Sequence, residues 1–295
     1  MEIRSTPIQE IHEPKLEQKG VRLLIKREDL NHPIISGNKL RKLKYHLESA
    51  RSQGYDKLLS FGGAFSNHIY ALAGAGKEYG FKTIGIIRGE ERLPLNPTLT
   101  FAKSCGMELH YMDRETYRQK EQPAFIASLK EQHGHFFHIP EGGSGKLGIQ
   151  GCTEIVQDIQ VPFDYLCCPV GTGGTLSGLI AGLDGQQKVI GFSALKGNFL
   201  EKEVNAMLSG YRRDLPNNWK INAEYHFGGY AKIKPELLEF MDRFEQKYQI
   251  PLDPVYTAKM LFGIFDLIEK DHFAPGSVVM ALHTGGLQGR AGFGL

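Results

Sequence analysis

Three short stretches of this 295-residue chain carry residue types that could do chemistry together. The first is SGNKLRKLKYHLESA, residues 36 to 50, where Leu40, Leu43, Leu47 and Ala50 fall on one face of a helix behind a Gly37-Asn38 start signal. At about 100° per residue, Lys39 lies about 60° from the centre of that stripe, nearer than Lys42, Lys44 or Arg41. It is therefore the lysine expected to be partly buried. A buried lysine loses the hydration of its ammonium, its pKa falls, and a neutral amine able to form a Schiff base becomes available. A lysine that only snorkels to the surface would fit the same spacing.

The second stretch, LLSFGGAFSNHIYALAGAGKEYG (residues 58 to 80), reads as a strand, a Gly62-Gly63 turn and a helix opening near Ser66, Asn67 and His68. Unpaired N–H groups at a helix start, with a hydroxyl and an amide beside them, suit a carboxylate. Ser66 could equally serve as a cap and nothing more. In the third, DYLCCPVGTGGTLSGLIAGL (residues 164 to 183), an apolar strand ends in Gly171-Thr172-Gly173-Gly174-Thr175 and turns directly into a helix. Glycines let the backbone approach closely, its N–H groups and the helix dipole face an anion, and Thr172 and Thr175 add hydroxyls. A phosphate is the expected ligand.

Rival chemistries fit less well. A dinucleotide fingerprint would place glycine at Leu176, and no acidic residue follows at the end of the next strand. GGSGKLG around Lys146 is not a nucleotide-triphosphate loop, because Leu147 replaces the magnesium-binding hydroxyl and Pro140 the first glycine. His133, His135 and His138 lack a carboxylate or cysteine in ligand spacing, so they are read as a surface feature and no metal is expected.

The elements that must position these stretches alternate regularly. Lys57 to Phe61, Thr83 to Ile87, Glu108 to Met112, Phe136 to Ile139, Tyr165 to Val170, Lys188 to Ser193 and Ser277 to Leu282 read as strands, with amphipathic helical patterns between them. Such alternation predicts an α/β fold of parallel sheets built from βαβ units, with ligand loops at the carboxyl ends of the strands. The best seam is the glycine-rich stretch Glu141 to Gly151, with another after the helix that starts near Asn38.

Bulk properties narrow the class further. Lys and Arg number 35 against 33 Asp and Glu, a net charge of +2 with no block of one sign, which argues against nucleic acid as a partner. The longest apolar runs, such as Val278 to Leu282, fall far below the ~20 residues of a membrane helix. The N-terminal MEIRSTPIQEIHEP has neither a secretory nor a transit pattern, so the cytosol is the expected compartment. Cys105, Cys152, Cys167 and Cys168 show no CxxC spacing and are read as reduced thiols.

A lysine opening an early helix, the Ser66-Asn67 turn, GTGGT after a central strand and the late HTGGLQG at 283 together resemble the D-cysteine desulfhydrase and 1-aminocyclopropane-1-carboxylate deaminase family. The likeness runs from SGNKLRKL at 36 to HTGGLQG, nearly the whole chain. It implies the tryptophan-synthase-β-like fold of pyridoxal-phosphate enzymes: two domains of parallel-type twisted sheets flanked by helices, with the active site in the cleft between them. The larger domain would comprise 1–44 and 148–295, the smaller 45–147.

By this resemblance Lys39 bonds pyridoxal 5'-phosphate, Asn67 hydrogen-bonds its 3-hydroxyl, and Gly171, Thr172, Gly173, Gly174 and Thr175 hold its phosphate. Ser66 looks like the family's catalytic serine, with Ser66, Asn67 and His68 facing the substrate, and Tyr230 in FGGYAK and Tyr256 in LDPVYTAK resemble its two active-site tyrosines. Deaminases of the family carry Glu where this chain has Thr257 and Leu where it has Thr284. A hydroxyl at Thr284 would leave the cofactor's ring nitrogen less protonated than a carboxylate would, which favours elimination over ring opening. The expected reaction is thus desulfhydration of a small amino acid, D-cysteine above all, by a homodimer. The alternatives are cyclopropane ring opening to 2-oxobutyrate and a relative that binds small molecules without turnover. Two departures stand out: Phe65 replaces the usual Gln before the Ser-Asn pair, and the chain ends soon after Gly289.

Overall fold

The computed structural model describes residues 3–212 and 214–295. The first half runs β1 (Ile8–Ile11), α1 (Pro14–Lys19), β2 (Arg22–Lys26), α2 (Asn38–Ser52), β3 (Lys57–Gly63), α3 (Asn67–Tyr79), β4 (Lys82–Arg88), α4 (Pro97–Ser104), β5 (Glu108–Met112), α5 (Arg114–Tyr117), α6 (Pro123–His133) and β6 (Phe137–Ile139). The second half runs α7 (Lys146–Gln157), β7 (Tyr165–Val170), α8 (Gly174–Gly182), β8 (Lys188–Ser193), α9 (Leu200–Tyr211), β9 (Trp219–Asn222), α10 (Pro235–Tyr248), α11 (Thr257–Glu269) and β10 (Val278–Leu282).

The strands form two sheets, one of six in the order β1-β2-β10-β7-β8-β9 and one of four in the order β5-β4-β3-β6. All seven strands expected from the sequence are present, each within two residues of its expected ends. β1, β2 and β9 are additional, and β1 pairs antiparallel to β2, so the larger sheet is not parallel throughout.

Both sheets are covered on both faces, which is why their central strands are apolar without alternation. In the larger sheet Leu23, Ile25, Val279 and Ala281 pack with Phe244 and Ile264 of α10 and α11. Their neighbours Leu24, Met280 and Leu282 point the other way, onto Leu176, Leu179 and Ile180 of α8. In the smaller sheet Leu58 meets Leu43 and Ile69 on one side, while Leu59 and Phe61 meet Tyr117 and Phe136 on the other. The stretch 141–151 is a 3-10 turn (Glu141–Gly143) that runs into the first half of α7. No helix among the described residues is long and apolar enough to cross a membrane.

Helix α2, which carries Lys39, is held by buried charge as well as by apolar contact. Arg41 donates to both oxygens of Glu28 at 2.8 and 2.9 Å and reaches Asp158 at 3.2 Å. Lys26, fully buried in β2, donates to Asp158 and to the Thr6 carbonyl at 2.7 Å each. Every buried charge here has a partner, without which its desolvation would be prohibitive. Lys39 is partly buried as expected, but Lys42 and Arg41, 2% and 3% exposed, lie deeper, because α2 is covered along both flanks and not only along its leucine stripe. The histidine cluster needs a correction. His138 is not a surface group; its ring packs on Phe61, and burial lowers its pKa to about 4.

Candidate active site

A cavity of about 630 Å³ opens among the carboxyl ends of the strands, where βα folds gather their ligand loops. It is lined by Lys39, Ser66, Asn67, His68, Gly171, Thr172, Gly173, Thr175, Tyr230, Tyr256 and Thr284. Of the residues the sequence singled out for catalysis, cofactor or substrate, Gly174 and Thr257 are not on its wall. Stretches more than a hundred residues apart thus meet in one place.

Lys39 enters from the first turn of α2. That turn is fixed by Gly37, whose N–H donates to the Glu28 carbonyl and to Asn31 Oδ1, and by the Asn38 N–H, which donates to the Thr284 carbonyl at 3.2 Å. The Lys39 ammonium donates to Asn38 Oδ1 at 2.9 Å, and Asn38 Nδ2 donates in turn to Thr175 Oγ1 at 2.8 Å. One amide side chain therefore ties the lysine to the glycine loop. Removal from water, followed by the nearby positive charge of Lys42, holds the Lys39 pKa down to about 7. Only a neutral amine attacks an aldehyde, so capture of added pyridoxal phosphate by cofactor-free protein is expected to slow by about tenfold per unit as pH falls below about 7. Stopped-flow absorbance measures this, and a rate flat through that range would contradict it.

The glycine loop has the form of an anion cradle. A methyl group at Gly174 would come within 2.8 Å of Ser144 Oγ and 3.1 Å of Lys42 Nζ, and one at Gly171 within 3.0 Å of the Tyr256 hydroxyl. Gly173 sits at a φ of +85° as the cap of α8, a conformation side chains resist. Ser144 and Thr172 share a hydrogen bond at 2.8 Å beside the loop, and the Lys42 ammonium, otherwise bonded to the Gly142 carbonyl at 3.0 Å, faces it. N–H groups, hydroxyls and a buried cation in one concavity suit a phosphate monoester. Lys42 escaped the sequence reading, although its spacing of three from Lys39 puts both on one helical flank.

Ser66 is the cap of α3, its hydroxyl accepting from the Ile69 N–H at 3.3 Å, and it lines the cavity as well, so capping and ligand contact are compatible. Asn67 accepts from Gln288 at 2.9 Å. His68 lies deeper. Ser60 gives its only proton to the Ile139 carbonyl at 2.7 Å, so His68 Nε2 must donate to Ser60 at 2.8 Å, and burial keeps the ring neutral. Its remaining Nδ1 is a buried acceptor near Gly143 without a partner among the described residues, which leaves His68 no donor for a substrate carboxylate.

Tyr230 and Tyr256 face one another across the opposite wall, ring centroids 6.2 Å apart, and burial raises both phenol pKa values so that each keeps its proton. Asp253, another residue the sequence reading missed, caps α11 by accepting from the N–H groups of Val255, Tyr256 and Thr257 and from the Thr257 hydroxyl. Thr257 is fully buried against that carboxylate and does not reach the cavity. Of the two positions expected to read the substrate, Thr284 lines the cavity and Thr257 does not.

The match to pyridoxal-phosphate enzymes covers residues 1–285. A bifunctional D-cysteine desulfhydrase and 1-aminocyclopropane-1-carboxylate deaminase of Arabidopsis thaliana, a mitochondrial protein, is 30% identical over 96% of this chain and 77% of its own. A 1-aminocyclopropane-1-carboxylate deaminase of Methylobacterium nodulans is 30% identical over 98% and 94%. A crystallised homologue of that deaminase superposes with a TM-score of 0.85 at 30% identity, covering 99% of this chain and 92% of the other. The chain belongs to the pyridoxal-phosphate dependent enzymes, in the D-cysteine desulfhydrase and 1-aminocyclopropane-1-carboxylate deaminase family.

Proposed function

We propose that the protein eliminates hydrogen sulfide from a small β-thiol amino acid, with D-cysteine the first candidate, giving pyruvate and ammonia with one water consumed. The observation that carries this reading is Thr284, 7% exposed on the cavity wall where deaminases of the family carry Leu. A hydroxyl there can hydrogen-bond a polar group of the substrate such as a thiol, which an apolar Leu cannot.

Lys39 would hold the cofactor's aldehyde carbon, Asn67 its 3-hydroxyl, and residues 171–175 with Ser144 and Lys42 its phosphate. When bound, pyridoxal phosphate supplies an electron sink for the pair left by a broken Cα–H bond. The protein's part is placement and proton transfer. Ser66 and the N-terminus of α3 orient the substrate carboxylate, which aligns the Cα–H bond. Lys39 Nζ, with a pKa near 7, accepts that proton at neutral pH and can return it. The two protonated tyrosines bound the side-chain end of the pocket and can donate to a departing thiolate.

A second reading, cyclopropane ring opening, has the relatives' names in its favour. Assaying D-cysteine for pyruvate and sulfide beside 1-aminocyclopropane-1-carboxylate for 2-oxobutyrate separates the two. D-cysteine should turn over at least tenfold faster; preferred turnover of the cyclopropane would reverse the assignment.

A further inference from the structure

The wall of the cavity that the small-sheet loops supply is cationic. Arg88, the last residue of β4, and Arg114, the first of α5, both line it. Neither has a carboxylate within ion-pair distance among the described residues; Arg88 instead lies over the Tyr117 ring, 5.8 Å from its centre. The one acid on this wall, Glu141, is already engaged, accepting from the Tyr117 hydroxyl at 2.9 Å and pairing with Lys120 at 3.4 Å. Arg88 is exposed at the rim of the cavity, next to Gly63 across the β3–β4 pair. One of its terminal nitrogens comes within 3.7 Å of where a methyl at Gly63 would sit, in the turn that leads to Ser66. Across the cleft Tyr230 feels the charges of both Arg88 and Glu141, with opposite sign.

An unpaired guanidinium on the cavity rim, beside the turn that leads to Ser66, is placed to meet a group that the amino acid carries beyond Cα. Guanidinium groups bind planar anions through paired hydrogen bonds, and a closed cleft strengthens such contacts by excluding water. We infer that Arg88, with Arg114 behind it, is a specificity residue that selects amino acids whose side chain is negatively charged when bound, as a thiolate, carboxylate or sulfinate. The inference rests on the reading of the cavity as an amino-acid site and narrows it: D-cysteine would be bound as its thiolate, and acidic amino acids would compete for the same place.

Aspartate and asparagine are isosteric and differ by one charge, so they serve as probes. Both enantiomers of each are titrated into holoenzyme while the cofactor's visible absorption is followed, which reads binding whether or not turnover occurs. The wild type should bind aspartate at least tenfold more tightly than asparagine of the same hand. Arg88→Gln should reduce that ratio by about tenfold or more, and Arg88→Lys should restore part of it. Equal affinity for the two probes in the wild type, or an equal loss for both in Arg88→Gln, would overturn the inference. Pyruvate release from D-cysteine, measured in parallel, reports separately on the elimination reading.

Discussion

Lys39→Ala is expected to abolish turnover, with kcat lower by at least about a thousandfold, and to remove the visible absorption of the bound cofactor. Two functions are lost at once, the covalent hold on the aldehyde and the base for the Cα proton, and removal of a positioned base alone typically costs about a hundredfold to ten-thousandfold. The fold should survive, because Lys39 is not one of the buried charges that pin α2; Arg41 and its carboxylate partners do that. Lys42→Ala is the informative comparison. It leaves the amine in place and removes the cation beside the glycine loop, so the visible band should persist while the cofactor dissociates more readily. It should also raise the Lys39 pKa, since Lys42 is the largest charge depressing it. Spectra and cofactor titrations of the two variants test the pair, and interchangeable behaviour would show that the two lysines have been given the wrong roles.

How the two lysines differ shows what the sequence could and could not reveal. Lys39, the Ser66-Asn67 turn and the 171–175 loop were legible because their signals are local: a start signal, a glycine pair, an apolar run breaking into glycines. Lys42 was not, because the stripe argument assumes one buried face, and α2 has neighbours on both flanks. β2 was missed for a similar reason. Its Lys26 reads as a surface residue, yet it is fully buried, and the partner that permits this, Asp158, lies 132 residues away. β1 and β9 are four-residue edge strands whose pattern falls below what periodicity can register. Thr257 and Thr284 looked equivalent as substrate readers on the page of letters. Only the placement of Asp253, which claims the Thr257 hydroxyl, separates them.

Gly37→Ala should be the most damaging single-methyl change near the site, although Gly37 does no chemistry. It caps α2 at φ +73° and ψ −150°, a region reserved almost entirely for glycine, and a methyl there would lie 1.9 Å from the Thr284 carbonyl oxygen. Since Lys39 follows two residues later and Thr284 lines the cavity, relief of that clash must move the amine away from its own site. The control is Gly145, which caps α7 in nearly the same backbone region, φ +89° and ψ −175°, but whose methyl would meet nothing closer than Pro140 at 3.8 Å. Gly145→Ala therefore carries the backbone cost alone, about 1–3 kcal/mol. Gly37→Ala adds overpacking against main chain, a further ~1–3 kcal/mol or more, so its denaturation midpoint should fall clearly below that of the control. Its cofactor affinity should fall as well, while that of the control is less affected, because displacement of Lys39 is specific to Gly37. Equal melting temperatures for the two variants, with cofactor retained in both, would mean that the contact between the α2 turn and the Thr284 carbonyl does not set the position of the amine.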